Sequence, residues 1–153
     1  MSRKEIIREL SEYFDIQELV GPIEYSRFGN NCWRYLRTEL LHTILVVRRD
    51  ILKVPMYVNN WALGGSLKER GLRCNISSIS KDKTMDDILY MSGHSFGAAI
   101  DFDAKGMTAE SVRKKIIMNE LLLPYPIRIE NGVSWVHIDV YDDIINNKKI
   151  TLF

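Results

Sequence analysis

The sequence predicts an α+β fold with helices gathered around a central antiparallel sheet, and three observations carry that expectation. Apolar residues recur at steps of three and four from Trp33 to about Leu52, the mark of a helix with one buried stripe. Asn131-Gly132 sits between two alternating runs within Ile127 to Val140, the strongest short-range signal for a β-hairpin. Short strand-like runs at Pro55 to Asn59 and at Ala98 to Phe102 supply further strands. The alternation of helices with strands leaves α/β as the alternative class.

At 153 residues the chain fits a single domain over 1–153, long enough to bury roughly two-thirds of its unfolded surface without staples. No internal repeat, low-complexity tract or Pro/Gly/Ser linker divides it. Lys and Arg total 21 against 20 Asp and Glu, so no strong field grips nucleic acid or an anionic membrane. Cys32 and Cys74 lie in no metal-type or redox-type spacing, and two free thiols are expected, with a disulfide between them as the alternative. The N-terminus starts basic but turns into an amphipathic helix containing Glu5 and Glu9, so no secretory signal is read there. No window reaches the roughly 18 apolar residues of a membrane span, the nearest being Leu40 to Val47. A monomer made in the cytoplasm is expected, and any target beyond it requires another delivery route.

Along the chain, the stripe Trp33, Leu36, Leu40, Ile44, Val47 and Ile51 predicts one helix from Trp33 to about Leu52. A short strand at Pro55 to Asn59 follows, then a long glycine-bearing loop to Arg73. Thr84 has capping-box spacing for a short helix toward Tyr90. Ala98 to Phe102 reads as a buried strand, and Thr108 caps a helix to about Leu122 that Pro124 and Pro126 end. In the hairpin, alternation puts Val133, Trp135, His137 and Asp139 on one face, so a histidine shares its face with an acid.

The chemistry concentrates in Ser92-Gly-His-Ser-Phe-Gly-Ala-Ala-Ile-Asp-Phe-Asp103 and in Ser134-Trp-Val-His-Ile-Asp139. Imidazole nitrogen and carboxylate oxygen both suit Zn²⁺, and catalytic zinc takes three protein ligands. Continuous strand from His94 to Asp101 would hold the two more than about 20 Å apart. The chain must therefore turn between them, and Gly97 lets it do so. His137 is the third candidate ligand. A metal there would acidify a water and polarise a carbonyl, and such chemistry also wants a general base, for which Glu130 and Asp139 are the candidates. A two-residue turn pairs Glu130 with Val133, about 13 Å of strand from His137, and a four-residue loop pairs it with Trp135, about 7 Å away. Arg73 or Arg70 in the long loop supplies a planar fork for a substrate carboxylate. Asp101 interrupts the apolar run Phe96 to Phe102, where a carboxylate is costly unless paired or metal-bound; its structural alternative is a salt bridge to an arginine.

Other marked residues carry structural expectations. His42 lies in a helix without a second ligand at helical spacing, Trp61 and Trp135 suit core or pocket wall, and Gly64-Gly65 suits a plain turn. Arg113-Lys-Lys115 suits a solvated helix face. The absence of a Gly-x-Ser-x-Gly elbow, a His-Glu-x-x-His helix and a Walker loop removes several hydrolase classes.

The first of the two segments resembles the Ser-x-His-x-x-Gly-x-Ala-x-Asp motif of the zinc D-Ala-D-Ala carboxypeptidase family, which includes phage endolysins and is related to the hedgehog fold. The second, Ser134 to Asp139, looks like the family's other motif, and the similarity runs from about Tyr57 to Val140, the loop Asn59 to Arg73 included. The resemblance implies His94, Asp101 and His137 as zinc ligands, with Ser92 and Gly97 shaping their motif. It also implies a hedgehog-like antiparallel sheet flanked by helices and cleavage of peptidoglycan stem peptides, as carboxypeptidase or endopeptidase. Arg73 is then the favoured partner of a substrate carboxylate, Arg70 the second. Many members carry an acid three residues before the last ligand, where this chain has Ser134, so the base duty falls to Glu130 or Asp139. Delivery through a holin or as part of a phage particle suits a chain read without a signal peptide. The alternative function is a non-catalytic zinc domain that binds wall fragments or a protein partner.

Overall fold

The computed structural model describes residues 1–84, 89–141 and 148–153. Ser2 opens the chain's first helix, α1 (Arg3–Leu10), through a reciprocal capping box with Glu5, and Ile6 and Leu10 form its buried side. Two short helices follow, α2 (Ile16–Leu19) and α3 (Pro22–Phe28), the second with proline in its first turn.

The stretch Trp33 to Leu52, expected as one helix, is broken into three. A 3₁₀ helix covers Gly29–Tyr35, α4 covers Thr38–Val46, and a π-helical turn covers Val47–Leu52. Leu36 and Arg37 between the first two are extended. Two partners hold the break open. The Arg3 guanidinium donates to the carbonyls of Trp33 and Leu36 at 2.5 and 2.8 Å, and the Arg37 N–H donates to the Gly97 carbonyl at 2.9 Å. The apolar stripe keeps its job across the break, since Leu36, Leu40, Ile44, Val47 and Ile51 are all buried.

The sheet is built from β1 (Met56–Tyr57), β2 (Ala99–Ala104), β3 (Ile127–Ile129), β4 (Val136–Asp139) and β5 (Ile150–Leu152), in the order β1-β2-β4-β3-β5. Between β1 and β2 lies α5 (Ser78–Thr84), a helix with no sequence expectation behind it, while the helix expected from Thr84 toward Tyr90 falls largely on 85–88, outside the described residues. After β2 comes α6 (Ala109–Met118), opened by a hydrogen bond from the Ser111 N–H to the Thr108 hydroxyl and followed by a 3₁₀ turn at Glu120–Leu122. The class is α+β as expected. The sheet, however, is mixed rather than antiparallel, because β5 pairs with β3 in parallel.

The hairpin also differs from expectation. Arg128 pairs with Asp139 and Ile129 with Ile138, and the Glu130 N–H reaches the His137 carbonyl at 3.3 Å. Glu130 therefore lies opposite His137, not Val133 or Trp135, and Asn131-Gly132 starts a longer loop. The cause is competition for the ladder's hydrogen bonds. Arg113 donates to the carbonyls of Val133 and Trp135, each at 2.9 Å, and the Asn131 N–H turns to the Phe153 carbonyl at 2.7 Å. Arg113 is thus buried against this loop and is no solvated helix face; only Lys114 of that run is fully exposed.

Strand alternation gives the sheet two unlike faces. Ile100, Phe102, Ala104, Ile127, Ile129, Val136 and Ile138 enter the core, where α6 packs against β2 and β4. Asp101, Asp103, Arg128, His137 and Asp139 share the other face. Among the described residues, no helix is long and apolar enough to cross a membrane. Both cysteines are free.

Candidate metal centre

His94 is delivered by a reversal that the local sequence dictates. Its N–H donates to the Ser92 hydroxyl at 3.2 Å, and the Ala98 N–H closes back onto the Gly93 carbonyl at 2.8 Å. Gly97 has φ 62°, and a Cβ there would sit 1.9 Å from the Tyr35 carbonyl oxygen, so any other residue is strained by conformation and crowded against backbone alike. The turn feeds directly into β2, which presents Asp101 beside its cross-strand partner His137.

The three side chains converge. His94 Nε2 lies 3.3 Å from His137 Nδ1 and 3.4 Å from Asp101 Oδ2. His137 Nδ1 lies 2.7 Å from Asp101 Oδ1. Each imidazole is held from behind by an acceptor. His94 Nδ1 faces the Gly71 carbonyl at 2.9 Å, and since a carbonyl only accepts, the proton sits on Nδ1 and Nε2 points inward with a free lone pair. Gly71 can come this close because it has no side chain: a Cβ would lie 2.0 Å from the Leu19 carbonyl oxygen. His137 Nε2 faces Asp139 Oδ2 at 3.3 Å.

The electrostatics follow from burial set against these partners. Burial pushes the His94 pKa down and leaves it neutral. Burial also opposes charge on His137, yet the Asp101 and Asp139 carboxylates outweigh it and the pKa is pushed up to about 9. Asp101 feels burial as a raising influence, but the hydrogen bond from His137 wins and holds it well below the usual carboxylate range. Asp139 is likewise lowered, burial being overcome by His137 and Arg128.

This group could hold a metal ion: one ligand atom from each of His94, Asp101 and His137 lies within 4.8 Å of the others. Tetrahedral bonds of about 2.0–2.1 Å require ligand–ligand edges of about 3.3 Å, and the two edges at His94 match. The third is shorter because a proton on His137 Nδ1 bridges it to Asp101; a bound cation would take the place of that proton. The donor set is that of a site with a remaining open position, and the acceptors behind both imidazoles are the outer shell such ligands need.

The other anticipated residues divide. Asp101 pairs with His137 and lies 3.4 Å from His94 Nε2, and among the described residues no arginine pairs with it. Asp139 is buried with both oxygens engaged, accepting from Arg128 at 2.9 and 2.8 Å, from the Tyr141 N–H at 3.0 Å and facing His137; it orients His137 and has no lone pair turned toward a substrate. Glu130 stands opposite His137 in the register, on the face that carries Arg128 and Asp139. Arg70 is committed to Asp103 at 2.7 Å. Arg73 is buried, its Nε has no hydrogen-bond partner among the described residues, and it enters a cavity of about 330 Å³ walled by Phe28, Tyr35 and Phe96. Asp101 opens instead on a cleft of about 350 Å³ shared with Arg70, Ser134 and Trp135. His42 packs edge-on to the ring of Tyr125, 5.8 Å away, and Trp61 donates to the Val20 carbonyl at 2.9 Å. Sequence reasoning missed the Gly71 carbonyl and Arg128; strand alternation would have put Arg128 on the Asp139 face had the register been known.

Comparison with family models, with curated proteins and with solved structures finds no match to this chain.

Proposed function

We propose that this protein is a zinc peptidase of the D-Ala-D-Ala carboxypeptidase type, on a hedgehog-like scaffold, hydrolysing peptide bonds in peptidoglycan stem peptides. It reaches the wall as a phage endolysin or a virion-borne enzyme does. The observation that carries the proposal is the convergence of His94 Nε2, His137 Nδ1 and the Asp101 carboxylate, each imidazole pinned through its other nitrogen. Those atoms meet in the order and chemistry the two motifs imply.

When bound, the ion would supply Lewis acidity toward a peptide carbonyl and lower the pKa of a water. The chain's own residues do the rest. The cleft at Asp101, with Ser134 and Trp135 in its wall, gives the scissile bond access. Glu130, opposite His137, is the candidate for moving the proton from water to the leaving amine. Arg73, buried in the separate cavity walled by Phe28, Tyr35 and Phe96, with no hydrogen-bond partner for its Nε among the described residues, is the candidate anchor for a substrate carboxylate. A second reading, a non-catalytic zinc domain, is favoured by one observation: Ser134 stands where an acid would serve, while Asp139 is locked by Arg128.

One experiment separates them. Zinc-loaded protein is incubated with purified peptidoglycan and the soluble products are read by mass spectrometry, beside His94→Ala and Glu130→Gln. The peptidase releases new termini, His94→Ala releases none, and Glu130→Gln is slowed about 10²–10⁴-fold. Stoichiometric zinc with no products establishes the binding domain instead; identical products from wild type and His94→Ala would defeat the peptidase.

A further inference from the structure

Behind the three ligands lies a layer that the metal reading does not itself require. Arg128 on β3 reaches across to β4 and grips Asp139 in a fork, Nε to Oδ1 at 2.9 Å and Nη2 to Oδ2 at 2.8 Å. Its guanidinium carbon stands 4.7 Å from the ring centre of Phe153 and 5.8 Å from that of Tyr141. Phe153 also packs edge-on to the His137 ring, centroids 5.9 Å apart at 89°. Its backbone is tied to the same strand, the Phe153 N–H donating to the Ile129 carbonyl at 3.2 Å and its own carbonyl accepting from Asn131 at 2.7 Å.

We infer that Arg128, clamped between Tyr141 and Phe153, is a positioning residue that sets His137 for metal binding by holding the buried Asp139 carboxylate in one place. The inference rests on the metal-centre reading above. Its physics is a chain of single-choice contacts. Asp139 is 1% exposed, and a carboxylate so buried needs a charged partner and filled lone pairs. The planar fork supplies both and fixes the plane of the carboxylate. The fixed Oδ2 faces His137 Nε2, so the proton stays on that nitrogen and the Nδ1 lone pair turns to the ion. Lysine keeps the charge but offers neither two parallel donors nor a flat face to two rings. Phe153, the residue after β5, thus braces the metal centre without contributing a ligand.

The test reads metal affinity rather than activity. Zinc dissociation constants are measured for the intact protein by competition with a chromophoric chelator, and the visible absorption of the Co²⁺ form reports ligand geometry. Arg128→Gln is expected to weaken zinc about 10–100-fold and alter the Co²⁺ band, with Asp139→Asn doing the same and Arg128→Lys falling between. Because one residue acts through the other, the double variant should lose no more than the worse single variant. A folded Arg128→Gln with wild-type affinity and spectrum, or losses that multiply, would overturn the inference while leaving the metal centre intact. Wild-type protein that binds no zinc would instead sink the metal centre, and this inference with it. Should Arg128→Gln not fold, Phe153→Leu, which strips the aromatic cover alone, is expected to weaken zinc several-fold, and an unchanged constant would overturn the inference equally.

Discussion

At the scale of single residues, the protein without metal is held at its centre by one proton. That proton lies between His137 and Asp101, where a cation would otherwise sit. Its consequence is a definite pH dependence. His137 titrates near 9 in the fold against an ordinary value of 6.5, so its contribution to stability is complete below about pH 6.5 and is lost as pH rises through 9. Asp101, lowered from its ordinary 3.8, contributes above that value and loses its contribution as pH falls through its depressed pKa. Melting temperatures of the EDTA-treated protein should therefore fall between pH 7 and pH 10, and His137→Gln should flatten that alkaline limb. A limb of the same steepness in the variant would place the responsible group elsewhere. On the zinc reading proposed above, metal affinity should run the opposite way, rising with pH as the bridging proton is released.

At the scale of elements, the turn from Ser92 to Ala98 decides where His94 goes, and it is welded to the break before α4. Gly97 approaches the Tyr35 carbonyl too closely for a Cβ, and its own carbonyl takes the Arg37 N–H at the helix start. Gly97→Ala puts a side chain into a left-handed backbone and into that carbonyl together. The expected cost is about 2–4 kcal/mol, read by urea unfolding, with a loss of bound zinc at protein concentrations where the chain is still folded. A cost below about 1 kcal/mol with full zinc retention would show that the turn tolerates rearrangement. The hairpin obeys the same logic of competition. Arg113 and the Phe153 carbonyl draw off hydrogen bonds that a tight Asn131-Gly132 turn would have used.

At the scale of the whole molecule, the sheet divides the chain's labour, one face feeding the core and the other carrying Asp101, His137, Asp139 and Arg128. His94, held by the Gly71 carbonyl, and the ring of Phe153 meet His137 on that polar face from distant parts of the sequence. An ion held there joins these parts, and binding to the folded state alone must stabilise it. At a free zinc concentration of about 100 times the dissociation constant the gain is about 2.7 kcal/mol, a rise of about 5–10 °C in melting temperature for a chain of this size. Calorimetry with and without EDTA measures it, and the shift should vanish in His94→Ala. A wild-type melting point indifferent to both zinc and EDTA would rule out a metal that couples to folding.

Much of this was legible from residues alone. The burial of Leu40, Ile44, Val47 and Ile51, the cap at Thr108 and the strand through Asp101 stand where local pattern put them, because capping, periodicity and the cost of a buried carboxylate act over a few neighbouring residues, and His94, Asp101 and His137 lie together as a group that could hold a metal ion. Register, by contrast, answers to partners far along the chain. The shift of Glu130 to face His137, the break at Leu36 and Arg37, the parallel pairing of β5 and the capture of Asp139 by Arg128 each turn on a hydrogen bond between residues that no spacing rule relates. Local chemistry marked His94, Asp101 and His137; long-range competition for donors and acceptors chose what surrounds them.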